Sequence, residues 1–370
     1  MRILIDYRPA LRQRTGVGEY VHELVLALLR SGPPGETITL FSSSWKDRLE
    51  AGAVEGAEII DRRIPVRVLN LAWHRLRWPS AELLAGGPFD VVQSAHPLPI
   101  PARGAAQIVT VHDLDFLDHP ERTRAEIRRD YPALAPSAVR AVDHVLVNSP
   151  HTAREVERRL SVNPERITIA TPGAPPWAGR QDEPESGYLL FFGTLEPRKN
   201  LGLLLDAYAS LVAAMPGAPR LVLAGGVPPE AAGLVARTME PPLAGRVEVR
   251  GYIAPEDRQQ LYAGALALII PSHAEGFGIP ALEAMTLGVP VVAANRGALP
   301  ELVGDAGELF EPEASRLLDV LQRLLTDRDL RQRMRRAGWR RAREYSWAES
   351  ARRAREAWSR AIDRRSRRRG

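Results

Sequence analysis

Two glutamates, Glu275 and Glu283, flank a glycine loop in the segment PSHAEGFGIPALE, residues 271–283. A carboxylate accepts several hydrogen bonds, which suits the paired hydroxyls of a sugar or a ribose. Gly276 and Gly278 let backbone amides come close to a ligand, and a helix N-terminus after the loop attracts anions. The pattern predicts a loop that binds a hydroxylated, anionic ligand. Spacing alone equally allows a solvated Glu283 and a plain turn.

Two adjacent cations, Arg198 and Lys199, stand in a second segment, FGTLEPRKN, residues 192–200. Fixed cations bind phosphate, and lysine serves as a point charge for it. The chain has only two lysines, Lys46 and Lys199, among 50 basic residues. At the start of a predicted helix both cations oppose the helix dipole, and such a cost indicates another purpose. We predict a phosphate site, with a charge pair partly neutralised by Glu196 as the alternative.

Two weaker signals lie in the first half of the chain. RTGVGEY, residues 14–20, places Gly16 and Gly18 in a turn that opens a helix, which suits the approach of phosphate or substrate but lacks the full G-x-G-x-x-G fingerprint. His112 ends a predicted strand and could hydrogen-bond a sugar hydroxyl or a developing charge. The alternatives are a structural turn and a core histidine paired with a backbone carbonyl.

No metal site is expected. Asp113 and Asp115 match the D-x-D that some sugar transferases use for a divalent cation, but cations for phosphate are already present, so we interpret the match as coincidence. The sequence has no G-x-S-x-G, no Walker A loop, no H-E-x-x-H and no cluster of histidines.

Apolar strand-like runs alternate with amphipathic helical runs, which is typical of parallel βαβ units. Strands are predicted at 2–6, 37–41, 91–93, 107–111, 144–147, 188–192, 220–224, 247–250, 266–270 and 289–293. Helices are predicted at 18–30, 121–140, 150–160, 201–215 and 281–287, and the chain is helical in pattern from Ser315 onward. The Pro- and Gly-rich segment 173–187 predicts a linker. We therefore expect an α/β chain with two doubly wound parallel-sheet, Rossmann-like domains, 1–172 and 188–346, facing across a cleft, followed by a terminal segment, 347–370.

Composition sets the class of protein. The chain has 370 residues, 45% hydrophobic and 26% charged, which is ordinary for two globular domains. The absence of cysteine excludes disulfides and thiol chemistry. The N-terminus lacks an apolar signal region, and the apolar runs fall far below the ~20 residues of a membrane span. A cytoplasmic protein is expected. The net charge of +5 raises nucleic-acid binding as a rival, but no motif for it is present, so no nucleic-acid partner is expected.

Taken together, these segments resemble family 4 of the retaining glycosyltransferases, whose fold is GT-B. Glu275 and Glu283 match the family's E-x7-E pattern, GTLEPRKN its phosphate turn, TGVGEY its glycine loop and VHD its histidine segment. VVAANRGALPE at 291–301 follows the family's usual continuation, and the resemblance runs from residue 5 to about residue 350.

The resemblance implies roles for individual positions. Arg198 and Lys199 would neutralise the leaving diphosphate, Glu283 would hold the ribose, and His112 and Glu275 would contact the donor sugar. Further contacts with the donor are implied for Gly16, Gly18, Gly193, Tyr252, Ile253, Gly276, Phe277 and Gly278. Some members carry Arg after the first glycine of the phosphate turn, where this chain has Thr194, so which cation contributes most is open.

The implied mechanism is front-side displacement with retention at the anomeric carbon, without a metal or another cofactor, the nucleotide-sugar being a substrate. The terminal helix resembles the GT-B segment that crosses back to the first domain. The HDL and EPRKN variants are most similar to those of mannosyltransferases that use GDP-mannose in surface polysaccharide synthesis, while UDP- and dTDP-sugars, or an epimerase or phosphorylase of the same fold, remain alternatives.

The acceptor, a saccharide or a lipid-linked saccharide, is expected at the first domain. That domain is rich in Arg and Trp, at LAWHRLRW (71–78) and at 122–129. Such a face could contact an anionic membrane peripherally, with a solvated arginine-rich surface as the alternative.

Overall fold

The computed structural model describes residues 1–11, 14–123 and 125–369 of the chain, and the side chains of all of these except residues 125 and 126. Within the arginine-rich stretch 122–129, Arg124 lies outside the described residues, as does Gly370 in the predicted terminal segment. The chain divides into two compact units, one of Met1–Gly173 with the segment from Ser346 onward, the other of Ala174–Tyr345.

The first unit is built on a seven-stranded, all-parallel sheet. Its strands are β1 (Arg2–Asp6), β2 (Thr37–Ser43), β3 (Glu58–Arg62), β4 (Val91–Ser94), β5 (Ala106–Val111), β6 (His144–Val147) and β7 (Ile167–Ile169). Their order in the sheet is β3-β2-β1-β4-β5-β6-β7. Its helices are α1 (Gly16–Arg30), α2 (Val66–Leu76), α3 (Ala81–Ala85), α4 (Ala125–Ala141) and α5 (Pro150–Leu160).

The second unit repeats this plan with six parallel strands. They are β8 (Tyr188–Phe192), β9 (Leu221–Ala224), β10 (Val247–Gly251), β11 (Ala265–Ile270), β12 (Val291–Ala294) and β13 (Glu308–Phe310), in the order β10-β9-β8-β11-β12-β13. Its helices are α6 (Leu201–Ala214), α7 (Ala232–Arg237), α8 (Pro255–Ala263), α9 (Ile279–Leu287), α10 (Leu299–Val303), α11 (Ala314–Thr326) and α12 (Arg328–Ala342). The last helix of the chain, α13 (Trp347–Arg367), belongs to the first unit.

Burial explains why the central strands form. β4, β6, β9 and β12 are buried at every position, as expected of parallel strands that are covered on both faces. Each unit has its own apolar clusters, one of which in the second unit packs Phe191, Leu204 and Leu223 together. Both units therefore contain a sizeable core of their own.

The strand order reverses once in each sheet, between β1 and β4 and between β8 and β11. Doubly wound sheets bind their ligands at such switch points, beyond the carboxyl ends of the strands. The residues that follow β1, β4, β8 and β11 are therefore the ones on which the functional sites should depend.

Several predicted elements differ from those observed. Strands β3, β7 and β13 were not expected, because β3 is only half-buried and the other two are three residues long. The helix expected from residue 121 begins at Ala125, after a separate turn at Pro120–Arg122. The strand expected at 289–293 is Val291–Ala294.

Most of the segment predicted as a linker, 173–187, packs on the second unit. The Arg180 backbone N–H donates to the Leu287 carbonyl at 3.1 Å, and its guanidinium donates to the Ala265 carbonyl at 2.5 Å. The Arg335 guanidinium donates to the Arg180 carbonyl at 2.7 Å. The Pro- and Gly-rich segment thus has no regular secondary structure but is held to the second unit by hydrogen bonds.

Helix α13 is held in the first unit by a buried hydrogen bond from Trp358 Nε1 to Gln93 Oε1 of 2.8 Å and by Arg355 pairing with Glu36 at 2.8 Å. Neither α13 nor any other helix of the described part of the chain has the length and apolar content needed to cross a bilayer.

Candidate active site

The phosphate turn predicted at 193–200 follows β8 at the switch point of the second unit. Gly193 N–H donates to the Ala224 carbonyl at 2.9 Å, which ties the turn to the end of β9. Gly225 has φ +139°, and a Cβ on it would lie 2.1 Å from the Gly193 carbonyl oxygen. Only glycine fits this close approach of two backbones, so the GG pair after β9 supports the turn.

Thr194 takes the position where some family members carry arginine. Leu195 N–H donates to the Gly226 carbonyl at 2.9 Å, and a Cβ on Gly226 would lie 3.7 Å from the Thr194 side chain. The residue therefore lies where the turn meets the loop after β9.

Arg198 and Lys199 occupy a 3-10 turn, Pro197–Lys199, that precedes α6. Asn200, with φ 52°, separates them from the helix, which begins at Leu201 as predicted. The argument from an opposing helix dipole is correspondingly weaker. What places them is the loop after β11, since the Arg198 carbonyl accepts from His273 N–H at 2.9 Å.

Both cations face Glu275. Lys199 Nζ donates to Glu275 Oε1 at 2.5 Å, and Arg198 Nη1 lies 3.5 Å from Glu275 Oε2. Ser272 Oγ donates to the same Oε1 at 2.6 Å. Lys199 is therefore not a solvated cation, and the predicted cations and the first glutamate of the E-x7-E pattern form one cluster.

The charge state of this cluster is set by its own members. Burial would raise the pKa of the Glu275 carboxyl, but the charges of Lys199 and Arg198 and the hydrogen bonds from Lys199 and Ser272 lower it to about 2. The carboxylate is thus ionised throughout the physiological range. An anionic ligand would have to share the two cations with it.

Glu283 lies in the first part of α9 and is only 5% exposed, which excludes the solvated helix residue considered as an alternative. Tyr262 Oη donates to its Oε2 at 2.7 Å, and Arg258 Nη1 lies 3.5 Å from its Oε1. Both partners come from α8. The second glutamate of the pattern is therefore a buried, fixed carboxylate.

The loop between the two glutamates is fixed as well. Phe277 is buried, and its ring meets that of Tyr345 edge-on at 5.6 Å. Gly278, with φ +105°, is the N-cap of α9, and a Cβ there would lie 2.9 Å from a Leu299 methyl group. Gly276, Phe277 and Gly278 thus form the link between the Glu275 cluster and the helix that carries Glu283.

Tyr252 and Ile253, predicted to border the base of a nucleotide, follow β10 and are half-buried. Ile253 lines an open cavity of about 450 Å³ together with Tyr188, Arg250, Asp257, Gln260, Leu261 and Gly264. Tyr252 is not part of that lining.

His112 follows β5 in the first unit and is half-buried. Its Nε2 lies 3.2 Å from the Ala95 carbonyl oxygen, so Nε2 carries the proton and Nδ1 is an acceptor. The alternative considered for His112, a histidine paired with a backbone carbonyl, therefore holds for Nε2 but leaves Nδ1 to be explained. Burial and the neighbouring His96 lower the pKa of His112 to about 3, against the hydrogen bond to Ala95, so the ring is neutral at pH 7.

A buried ion pair lies at the end of β1 in the same unit. Arg8 donates to both carboxylate oxygens of Asp6, at 2.8 and 2.7 Å, and to Asn70 Oδ1 at 3.0 Å. His96 follows β4, and burial lowers its pKa to about 4, while the charge of Asp6 raises it and that of Arg8 lowers it. The carboxyl ends of β1, β4 and β5 therefore present polar groups that could hydrogen-bond a polyhydroxylated molecule.

Gly16 and Gly18 form the first turn of α1. Gly16 is exposed and has open space where a Cβ would be, whereas a Cβ on Gly18 would lie 2.4 Å from the Pro9 carbonyl oxygen. The packing against Pro9 thus explains why residue 18 is glycine, whereas the open space at Gly16 could admit a ligand.

Sequence reasoning missed several polar residues at these strand ends. Ser272 stands three positions before Glu275, inside the segment already singled out, so it could have been found. Arg258 and Tyr262 had no sequence signal, since helix α8 looks like an ordinary surface helix until it is packed against α9.

Two family profiles match the chain, one in each half. Residues 14–176 match "Glycosyltransferase Family 4" and residues 179–341 match "Glycosyl transferases group 1". Together they cover most of the chain, and all the predicted site residues lie within them.

Curated relatives include the O-antigen chain mannosyltransferase B of Escherichia coli, 28% identical across 94% of this chain and 96% of that protein. D-inositol 3-phosphate glycosyltransferase of Corynebacterium diphtheriae is 30% identical across 56% of this chain and 54% of its own length. Among solved structures, sucrose-phosphate synthase from Thermosynechococcus elongatus has a TM-score of 0.79 at 19% identity, covering 97% of this chain and 98% of its own.

A second solved structure, WaaG, a glycosyltransferase involved in lipopolysaccharide biosynthesis, has a TM-score of 0.73 at 18% identity, covering 96% of this chain and 98% of its own. These likenesses confirm the expected fold, two Rossmann-like α/β domains of the GT-B type.

Proposed function

We propose a reaction from one premise: this chain belongs to the group 1 glycosyltransferases of family 4. It transfers a hexose, mannose from GDP-mannose, to a saccharide or lipid-linked saccharide acceptor in the synthesis of a surface polysaccharide. Mannose is supported by the O-antigen mannosyltransferase, which aligns over 96% of its length. UDP- and dTDP-sugars are the alternative donors.

The observation that carries the proposal is the cluster of Lys199, Arg198 and Glu275 at the switch point of the second unit. Two cations held beside a sugar-binding carboxylate suit a ligand that joins a diphosphate to a sugar. In this assignment Arg198 and Lys199 bind the diphosphate, and Glu275 turns toward hydroxyls of the donor sugar.

The remaining donor contacts follow from the loops around this cluster. Glu283 holds the ribose hydroxyls, and the backbone at Gly276, Phe277 and Gly278 contacts the sugar and phosphates. Gly193 and Thr194 lie along the diphosphate, and Tyr252 and Ile253 border the base. Gly16 and Gly18 let the first turn of α1 approach the diphosphate.

The reaction proceeds by displacement on one face of the donor sugar. The bond from the anomeric carbon to the phosphate oxygen breaks as the bond to the acceptor oxygen forms, and the acceptor proton passes to the leaving phosphate. Catalysis then consists of positioning and of stabilising the departing negative charge with Arg198 and Lys199. Neutral His112 accepts a hydrogen bond from a sugar hydroxyl at Nδ1.

The chemistry needs no metal or other cofactor in this proposal, because the two cations take the role that a divalent ion would have at the diphosphate. Activity is therefore expected to survive EDTA, and loss of activity restored by Mg²⁺ would contradict this part of the assignment.

The test of the reaction is product analysis with purified enzyme, GDP-mannose and a mannose-terminated oligosaccharide. We expect a new glycosidic bond with the anomeric configuration of the donor, seen by NMR. Sugar-nucleotide conversion without an acceptor would indicate an epimerase, and dependence on inorganic phosphate a phosphorylase. A product of inverted configuration would overturn the mechanism.

We assign the acceptor to the first unit, and the surface of that unit around α2 supports contact with an anionic membrane. Five of the large apolar side chains exposed there are Val68, Leu71, Leu76, Trp78 and Leu83, between 54% and 71% exposed. We call these five side chains the α2 surface. Residues 62–83, which span it, contain five arginines and one acidic residue, Glu82. Apolar groups among arginines suit the boundary between lipid head groups and acyl chains.

Peripheral contact with the cytoplasmic face of the cell membrane is therefore part of the proposal, as is a cytoplasmic location. Flotation with phosphatidylglycerol vesicles at low salt tests it. Wild type and Met239→Ser, which changes an apolar residue 72% exposed in the second unit, should float, whereas Leu71→Ser/Trp78→Ser should not. Wild-type protein that does not bind the vesicles would contradict the proposed membrane contact.

A further inference from the structure

Helix α8 supplies both side chains that hold the carboxylate of Glu283. Tyr262 Oη donates to Oε2 at 2.7 Å, and Arg258 Nη1 lies 3.5 Å from Oε1. Arg258 and Tyr262 stand four positions apart, so they project from the same face of the helix. Each oxygen of the carboxylate is therefore engaged by a different residue of one element.

The three side chains are buried together. Tyr262 is 0% exposed, and Arg258 and Glu283 are each 5% exposed. The environment also fixes Tyr262 as a donor, because burial and the charge of Glu283 raise the pKa of its hydroxyl well above its usual value. A carboxylate has about four acceptor positions, so it can accept from protein donors and from the hydroxyls of a ligand together.

Aromatic contacts connect this group to the end of β8. The Tyr262 ring meets Phe192 edge-on at 5.4 Å and Trp177 at 6.0 Å, and the Arg258 guanidinium lies 5.7 Å from the centre of the Phe192 ring. Phe192 is the last residue of β8, next to Gly193 of the phosphate turn. The side chains that hold Glu283 are thus fixed against the strand that presents the diphosphate site.

We infer that Tyr262 and Arg258 are positioning residues that aim the Glu283 carboxylate at the ribose hydroxyls of the nucleotide donor. The inference rests on the proposed function, in which Glu283 holds the ribose. It goes further by assigning to α8 a part in the recognition of the donor.

A purely structural role would also explain the contacts, since a buried carboxylate needs partners. The two roles differ in what they do to ribose recognition. Positioning predicts that Tyr262→Phe weakens only the contact with the hydroxyls, whereas a structural role predicts that it weakens the binding of any nucleotide or none.

The experiment compares GDP with 2′,3′-dideoxy-GDP by isothermal titration calorimetry, using UDP and its dideoxy form if GDP does not bind. Wild type should bind the ribonucleotide about 10-fold or more tightly than the dideoxy form, the value of a hydrogen bond to a charged group. Tyr262→Phe should lose most of that preference while its affinity for the dideoxy nucleotide stays the same. Glu283→Gln should lose the preference for the ribonucleotide too. The double variant Tyr262→Phe/Glu283→Gln should lose no more of it than Glu283→Gln alone.

Tyr208→Phe is the matched control, because Tyr208 is also 0% exposed and its hydroxyl donates to the Pro219 carbonyl at 2.8 Å rather than to a carboxylate. It should keep the ribose preference. A Tyr262→Phe variant that keeps the full preference, or that weakens both nucleotides equally, overturns the positioning role. A wild type that binds both forms equally removes the ribose role of Glu283, and binding of neither nucleotide refutes the transferase proposal itself.

Discussion

At the scale of single residues, the chemistry depends on a balance of charge around Glu275. Its carboxylate is ionised because Lys199 and Arg198 stabilise it, and in turn it neutralises these cations when no phosphate is bound. A buried pair of this kind stabilises the fold only while both partners are present, since a lone buried charge is costly. Stability and ligand binding can therefore be separated by changing one partner or both.

Lys199→Ala should lower the free energy of unfolding by about 3 kcal/mol, because it leaves the Glu275 carboxylate buried with less compensation. Lys199→Met/Glu275→Gln should recover most of that loss, since no buried charge remains unbalanced. Thermal and denaturant unfolding measure both changes.

The chain provides its own control in its only other lysine. Lys46 is exposed, so Lys46→Ala should change stability by no more than about 0.5 kcal/mol. A double variant that is less stable than Lys199→Ala would contradict the assigned pairing.

The residue types of the site could be predicted in part. Lys199, Glu275 and Glu283 stood out because their chemistry and spacing are unusual for loops and helix starts. Their partners could not be predicted, because Tyr262 meets Glu283, and Lys199 meets Glu275, only through folding across 21 and 76 positions of the chain. The burial of Glu283 depends on that packing, so the spacing of residues in the sequence could not predict it.

At the scale of elements, the site depends on how closely strand ends approach one another. The backbone after β9 meets the phosphate turn after β8 at Gly225, where a Cβ would lie 2.1 Å from the Gly193 carbonyl oxygen. Continuous apolar runs made the central strands predictable, and β1, β6 and β8 have the predicted bounds. The edge strands β7 and β13 were not predictable, since three residues carry no period.

Gly225→Ala should destabilise the second unit by several kcal/mol and abolish nucleotide binding, because the added methyl group forces the two backbones apart at a φ that alanine rarely adopts. Unfolding and calorimetric titration with GDP measure the two effects.

Gly202→Ala is the matched control, since Gly202 lies in α6 with no neighbouring atom within 4 Å of the place that the new methyl group would take. It should raise stability, by up to about 1 kcal/mol, and leave nucleotide binding unchanged. Binding that survives Gly225→Ala would show that the close approach does not shape the phosphate turn.

At the scale of the whole molecule, each unit has its own core and its own group of polar residues at strand ends. In the first unit, burial lowers the pKa of six histidines: His22, His96 and His144 to about 4, His112 to about 3, and His74 and His151 in the same direction. Unfolded histidine has a pKa near 6.5, so between pH 7 and pH 4 the unfolded chain takes up protons that the folded unit does not. Stability is therefore lost as the pH falls.

Among them His96, His112 and His144 should each cost about 2 kcal/mol between pH 7 and pH 5. His144→Gln should reduce the dependence of the melting temperature on pH over this interval, because His144 is fully buried and donates to or accepts from Thr168 Oγ1 at 2.8 Å. A protein equally stable at pH 5 and pH 7 would contradict the neutral, buried histidines.

The central claim is that the cations after β8 bind the diphosphate of a nucleotide donor. Its most direct test is a thermal-shift screen of GDP, UDP, dTDP and ADP with wild type, Lys46→Ala and Lys199→Met/Glu275→Gln. A ligand at 100 times its Kd stabilises the folded state by about 2.7 kcal/mol. We predict a clear rise in melting temperature with GDP for wild type and Lys46→Ala, and none for the double variant. No shift with any nucleotide at millimolar concentration, or an equal shift in all three proteins, would contradict the account.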